Sequence, residues 1–232
     1  MNRRHLVFAA ATLFGAAVGA ILATSRRSTS SLLPQVPWLA TDDALKQHWP
    51  LFLCALGCWA AFSLYWEAAA KNAAPAQRSE SKSSRSVHVF LVNVAVILVF
   101  APIRGLGRFV PASTPIMCAG LAIEAIGLFI AIWARRHLGR HWSGAISIKV
   151  EHQLVRSGPY RWLRHPIYTG LLAMYIGPAL VTGEILALSG VAMTIFAYWR
   201  KIRLEEAALD TAFGDDYDAY RRETWSLVPG VF

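Results

Sequence analysis

Apolar runs long enough to cross a bilayer recur along this chain, parted by short polar links. Six can be drawn: 6–23, 49–70, 87–103, 115–134, and then 167–182 and 184–199, which meet at Gly183. The pattern predicts an all-α polytopic membrane protein of about six transmembrane helices, closing with a helical hairpin and a polar cytosolic tail. Residues 1–110 read as N-terminal transmembrane helices, and 111–232 as a core made of the hairpin and the tail. The stretch 71–86, "KNAAPAQRSESKSSRS", lacks large apolar residues and is predicted to be a flexible loop. The first run has a charged flank and small residues after it, as a signal peptide does. Its length, and Arg26 and Arg27 just beyond it, predict a retained helix.

Composition agrees. The chain is 55% hydrophobic and 16% charged, where a soluble domain carries about a quarter charged residues. The net charge of +9 raises the question of nucleic acid. The basic residues, however, fall in short clusters between the apolar runs, where topology signals lie, so no nucleic-acid partner is expected. With the N-terminus inside, 18 Lys and Arg fall in inside segments and 5 outside. That bias predicts an integral membrane protein, in the inner membrane if the cell is bacterial, with both termini cytosolic.

Isolated polar residues add less. Cys54 and Cys58 share one helix face and read as small packing residues, and nothing implies disulfides. His137 and His141 are four apart, but the arginines around them repel a cation. They read as part of a juxtamembrane helix anchored by Trp133 and Trp142, with no metal expected. Asn93 and Glu124 sit inside spans and should face the bundle interior, as a helix-to-helix hydrogen bond or as a site wall.

The densest polar signal is "RHPIYTG", residues 164–170, directly before an apolar run. Ser157, Gly158 and Pro159 upstream make a turn whose backbone groups are free of helix bonding. Pro166 suits the first position of a helix and biases His165 away from helical geometry. From Gly170 to Glu205 there are 34 intervening residues, enough for two arms of about 24 Å each. A hairpin of equal arms brings Arg164, His165 and Tyr168 back beside Lys201, Arg203, Glu205 and Glu206. A simpler reading of the second cluster pairs Lys201 with Glu205 and Arg203 with Glu206 as helix-spaced surface ion pairs.

"SGPYRWLRHPIYTG", a short apolar hairpin, "EEAALDTAFGDDYDAY" and a closing "VPG" together resemble the isoprenylcysteine carboxyl methyltransferase family, which is related to the phospholipid N-methyltransferases. The likeness spans about residues 133–230. It implies S-adenosyl-L-methionine as cofactor, held between the hairpin mouth and the tail. It also implies a lipophilic or lipid-linked acceptor entering from the membrane lipid. Carried over by motif, the resemblance implies cofactor contacts from His165, Tyr168, Glu205 and Glu206, and from Leu154, Val155, Gly158 and Tyr160 in the preceding turn. Arg164, Arg222 and Glu223 are the implied catalytic group. One departure stands out: Glu223, Thr224 and Trp225 occupy the place where members acting on a prenylcysteine carboxylate carry a basic residue and then Val-Pro. A thiol, an amine or a lipid headgroup is therefore also an admissible acceptor. Two other classes are kept beside this one: an NADPH-dependent membrane reductase of the sterol reductase type, which shares the arginine-histidine-proline motif, and a non-catalytic membrane protein. Cofactor binding separates all three.

Overall fold

The computed structural model describes residues 48–71, 76–100, 107–142, 147–149 and 154–230. The first expected span, 6–23, and the outer loop after it lie outside the described residues. Five long helices form the body: α1 Trp49–Ala70, α2 Lys82–Phe100, α3 Thr114–Leu138, α4 Pro166–Thr182 and α5 Ile185–Phe213. A short amphipathic helix, α6 Asp215–Glu223, follows. Four of these, α1, α2, α3 and α5, are long and apolar enough to cross a membrane, and α4 is a shorter apolar helix of 17 residues.

The expected ends agree closely for α1 and α4, while α2 and α5 differ. Helix α2 starts at Lys82, inside the stretch expected to be a loop. The hydroxyl of Ser81 accepts a hydrogen bond from the Ser84 amide at 3.2 Å and caps the new N-terminus. Within the same stretch, β1 (Ala76–Ser79) pairs antiparallel with β2 (Ser147–Lys149). Helix α5 does not stop near Trp199 but runs on to Phe213, because no breaker intervenes before Gly214, whose φ of +51° ends it.

Helix α4 is the centre of the bundle, touching α1, α2, α3 and α5. Its densest packing is against α3, through small residues at two levels. A Cβ added at Gly127 would lie 2.5 Å from the Gly170 carbonyl oxygen, and one at Gly177 would lie 2.5 Å from that of Gly120. Each helix thus places glycines seven residues apart on the shared face, and the two backbones touch. Gly190 does the same for α5 against Ala95 of α2. Pro178 lies inside α4 and cannot donate to the carbonyl of Met174, four residues back. That carbonyl instead accepts from the indole of Trp59 at 3.1 Å, which ties α1 to α4. Tyr175 ties α4 to α2 by donating to the Val92 carbonyl at 2.9 Å.

Size is distributed as a bilayer requires. Leu64 is 72% exposed and Phe129 66%, whereas Ala131 and Ala197 inside are at 0%. Apolar solvent outside removes the reason to bury large side chains, and small ones inside let helices approach. Of the two polar residues inside spans, Asn93 donates to its own helix, at the Val89 carbonyl, rather than across to another. Glu124 is fully buried beside Gly177, and neither of its oxygens has a hydrogen-bond partner.

The glycine seam makes a direct prediction. Gly127→Val and Gly170→Val should each force α3 and α4 apart and lower the unfolding temperature in detergent, at a cost of about 1–3 kcal/mol or more for overpacking a tight contact. Gly57→Val, at a glycine with nothing within 4 Å of its would-be Cβ, should change it far less. Equal shifts at all three positions would refute the seam.

Candidate functional site at the mouth of the hairpin

Pro166 takes the first position of α4 and leaves His165 outside the helix, at φ −125° and ψ 54°. Gly183, in the left-handed region at φ +65°, turns the chain into α5. The arms then run antiparallel and bring residues 164–168 against residues 205–206, as the chain length implies.

The two carboxylates face the motif, not their own helix. Arg164 Nε donates to Glu206 Oε1 at 2.9 Å, and His165 Nε2 lies 3.2 Å from the same oxygen. Tyr168 donates its hydroxyl to Glu205 Oε1 at 2.7 Å, while Glu205 Oε2 is 3.7 Å from His165 Nδ1. The surface-pair reading is therefore corrected: Lys201 pairs with Glu80 at 3.2 Å and Arg203 is exposed. A four-residue spacing shows only what one helix can pair with itself. It does not show Glu80, which lies between β1 and α2.

The tail closes the mouth. Arg164 N donates to the Trp225 carbonyl at 2.8 Å, His165 N to Ser226 at 3.1 Å, and Trp225 N to Trp162 at 2.9 Å. Residues 225–226 thus lie alongside 162–165 like an added strand. Thr169 donates to the Leu227 carbonyl at 2.6 Å, and Tyr220 to the Tyr160 carbonyl at 2.7 Å. The guanidinium of Arg164 also donates to the carbonyls of Arg221 and Thr224, so it is committed to the tail as well as to Glu206.

The remaining motif residues surround this core. Leu154 and Val155 are half-buried. Gly158, at φ +59°, leaves no room for a Cβ against the imidazole of His137. Tyr160 is buried and packs in the core. Arg222 and Glu223 lie exposed at the end of α6. The structure adds Tyr217, which lies within the quoted "EEAALDTAFGDDYDAY" but is not singled out there. Its ring is fully buried, its hydroxyl has no partner, and Glu206, Arg164 and Arg221 are its electrostatic neighbours.

Electrostatics keep Glu206 ionised. Burial alone would raise its pKa, but the hydrogen bonds from His165 and Arg164 outweigh that and bring it from the ordinary value near 4.5 to about 2. Glu206 lies past the apolar part of α5. Among the described residues neither Oε2 accepts a hydrogen bond, although that of Glu205 lies within ion-pair reach of His165, and the rings of His165 and Tyr168 stack beside the pair at 5.8 Å. Two carboxylate oxygens, flat aromatic faces and the Tyr217 hydroxyl suit a ligand that carries a cation, hydroxyl groups and a planar ring. Among the described residues, no group of three His, Cys, Asp or Glu is arranged to hold a metal ion.

Helices of this length and outward apolarity make the chain an integral membrane protein. Residues 115–216 match the family model described as phospholipid methyltransferase. The chain is 27% identical over 114 residues to the protein-S-isoprenylcysteine O-methyltransferase of Schizosaccharomyces pombe, covering 48% of each. It is 34% identical over 118 residues to a probable enzyme of that name from Oryza sativa subsp. indica, covering 48% of this chain and 60% of the relative. It is also 28% identical to the methanethiol S-methyltransferase of Mycobacterium tuberculosis, over 62% of this chain and 63% of the relative. The chain spans about half the length of the first of these curated relatives and three-fifths of the second. The solved structure of the eukaryotic intramembrane Ras methyltransferase ICMT shares the fold, with a TM-score of 0.55 at 19% identity, over 78% of this chain and 68% of that one. The resemblance carried by the motifs between Ser157 and Tyr220 is borne out as a likeness: this part of the chain is similar to proteins named protein-S-isoprenylcysteine O-methyltransferase and lies largely within the match to the phospholipid methyltransferase model.

The pH response follows from Glu206. Its folded pKa is depressed, so its ionisation stabilises the fold fully above about pH 4.5, and that contribution is lost as pH falls toward 2. The unfolding temperature of the parent should drop across that window more steeply than that of Glu206→Gln, because the variant has no carboxyl to protonate. Parallel curves would show that the pairs to Arg164 and His165 contribute nothing to stability.

Proposed function

We propose that this chain is an S-adenosyl-L-methionine-dependent membrane methyltransferase acting on a lipophilic acceptor. The observation that carries the reading is the meeting of Arg164, His165 and Tyr168 with Glu205 and Glu206 under the tail. The names of the relatives and the matched family model support it. When bound, the cofactor supplies a methyl carbon activated by a sulfonium. The free oxygens of Glu205 and Glu206 would accept from its amino group and ribose hydroxyls. The faces of His165 and Tyr168, with the Tyr160 turn and the backbone at Leu154, Val155 and Gly158, would enclose its ring. Arg164 holds Glu206 and the tail in place, so its part is to position. Arg222 and Glu223, at the exposed rim, would meet an acceptor's polar head. Direct displacement needs alignment and exclusion of water, and the tail over the mouth provides both. The Lys and Arg bias supports a cytosolic site with both termini on the same side.

Calorimetry of the purified protein with S-adenosyl-L-methionine tests the reading, with NADPH as the control for a reductase. His165→Ala, Tyr168→Phe and Glu205→Gln should each weaken cofactor binding, by about 1–3 kcal/mol where a charged hydrogen bond is lost. Binding as tight as the parent's in all three would move the site elsewhere. A reporter fused after Phe232 should be active only as a cytosolic fusion, and activity on the opposite face would reverse the orientation.

A further inference from the structure

Next to the paired carboxylates lies a second polar cluster that the reading above leaves unused. Lys201 Nζ sits 3.2 Å from Glu80 Oε2, and the two side chains are 4% and 7% exposed. The other oxygen of Glu80, Oε1, is buried with no hydrogen-bond partner, and so is Nδ1 of His88. His88 is in electrostatic contact with Lys201 and Arg200 from α5, and its other nitrogen meets the Ala197 carbonyl. A carbonyl fixes the ring proton on that nitrogen and leaves Nδ1 as an acceptor. The ring of His88 lies 5.6 Å from that of Tyr198, and Tyr198 lies 5.0 Å from Tyr168, whose hydroxyl holds Glu205.

The cluster adjoins the site on its apolar side. Tyr198, Lys201 and Glu205 are spaced i, i+3 and i+7 on α5 and share one face. Lys201 is one turn, roughly 5–6 Å, nearer the apolar stretch than Glu205. Along α5 the cluster lies between the apolar stretch and the carboxylates.

Two buried atoms that can only accept, and have nothing to accept from, are costly to leave so. They call for a ligand that brings a hydrogen to donate. A carboxylate at neutral pH brings none and is repelled by Glu80. Of the two cations here, Lys201 is paired to Glu80 and Arg200 donates to Ser84, while Arg164 is committed to Glu206 and the tail. A thiol or an amine brings the hydrogen.

We propose that Glu80, His88 and Lys201 form the pocket for the acceptor's head, that the acceptor is a nucleophile arriving with its proton on sulfur or nitrogen, and that His88 Nδ1 takes that proton. The inference rests on the methyltransferase reading and names its acceptor class. In the step, the lone pair on sulfur or nitrogen forms the new bond to the methyl carbon. The bond from that carbon to the sulfonium breaks, and both its electrons return to that sulfur. The nucleophile's own proton passes to His88 Nδ1.

The test uses the full chain in detergent with an alkanethiol, an alkylamine and an alkanoate of equal length. Methyl transfer is expected to the thiol or the amine, and the arm that responds names the nucleophile. His88→Gln and Glu80→Gln should each lower kcat about 100-fold or more, the usual range for a lost general base. Their affinity for S-adenosyl-L-methionine should stay within about twofold of the parent's, since a base is lost and not a cofactor contact. Without cofactor, calorimetry should show weaker binding of the responding acceptor to both variants. Added imidazole should restore part of the rate of His88→Gly and shift its pH profile, which a packing role would not do. If His88→Gln does not fold, Glu80→Gln and the profile of the parent decide. Methylation of the alkanoate, or thiol or amine transfer at the parental rate in Glu80→Gln and the folded His88 variants, would overturn the pocket. A parent that binds no S-adenosyl-L-methionine would fail on the broader reading, and this inference would fall with it.

Discussion

Everything at the mouth of the hairpin depends on one carboxylate oxygen. Glu206 Oε1 receives both Arg164 Nε and the imidazole of His165, so it joins the start of α4 to the far part of α5. A carboxylate this close to the apolar part of a membrane bundle is costly unless paired. The pairing is tight enough to hold Glu206 ionised down to about pH 2 against the effect of burial. The guanidinium that supplies the charge also reaches the carbonyls of Arg221 and Thr224. Hairpin and tail are therefore fixed by the same few atoms, and Glu205 is left beside them with one oxygen held by Tyr168 and one open.

The bundle makes that geometry possible by removing side chains where helices meet. Gly120, Gly127, Gly170 and Gly177 bring α3 and α4 to backbone contact. That contact lets a helix of only 17 residues sit at the centre of the group. About 25 Å of α4 is less than the usual 30 Å core, so the polar residues at its N-terminus need not project far beyond the apolar layer. Pro166 and Pro178 serve the same helix in opposite ways. The first costs no bond, at a position where none would form, and the second frees a carbonyl that Trp59 then uses to fasten α1.

Much of this was legible. Apolar run length gave the helices, and Gly183 marked the turn between the arms. Counting residues along the arms placed "RHPIYTG" against the paired glutamates. What could not be read depends on segments distant in sequence. Glu80 reaches Lys201 across 121 positions, from a polar stretch with no pattern of its own. That stretch gains structure only when Ala76–Ser79 meets Ser147–Lys149. Short-range spacing offered Glu205 as the partner of Lys201 because a helix pairs most visibly with itself. The path of residues 225–226 along 162–165 was equally hidden, since a strand-like contact of a few residues needs no alternating pattern.

The correction at Lys201 changes what the site can accept. Had Lys201 paired with Glu205, one carboxylate facing the hairpin mouth would be neutralised and a cation would stand beside it. With Lys201 given to Glu80 instead, Glu206 faces Arg164 and His165, and Glu205 faces Tyr168 and His165. The mouth is left electrostatically suited to a positively charged ligand. The cost of that arrangement, a buried ion pair one turn lower, is met by Glu80 and leaves its second oxygen and His88 Nδ1 buried without a hydrogen-bond partner. Two polar clusters are thus separated along a single face of α5: unneutralised carboxylate charge at Glu205, and one turn nearer the apolar stretch a neutralised pair at Lys201 with unpartnered acceptors beside it.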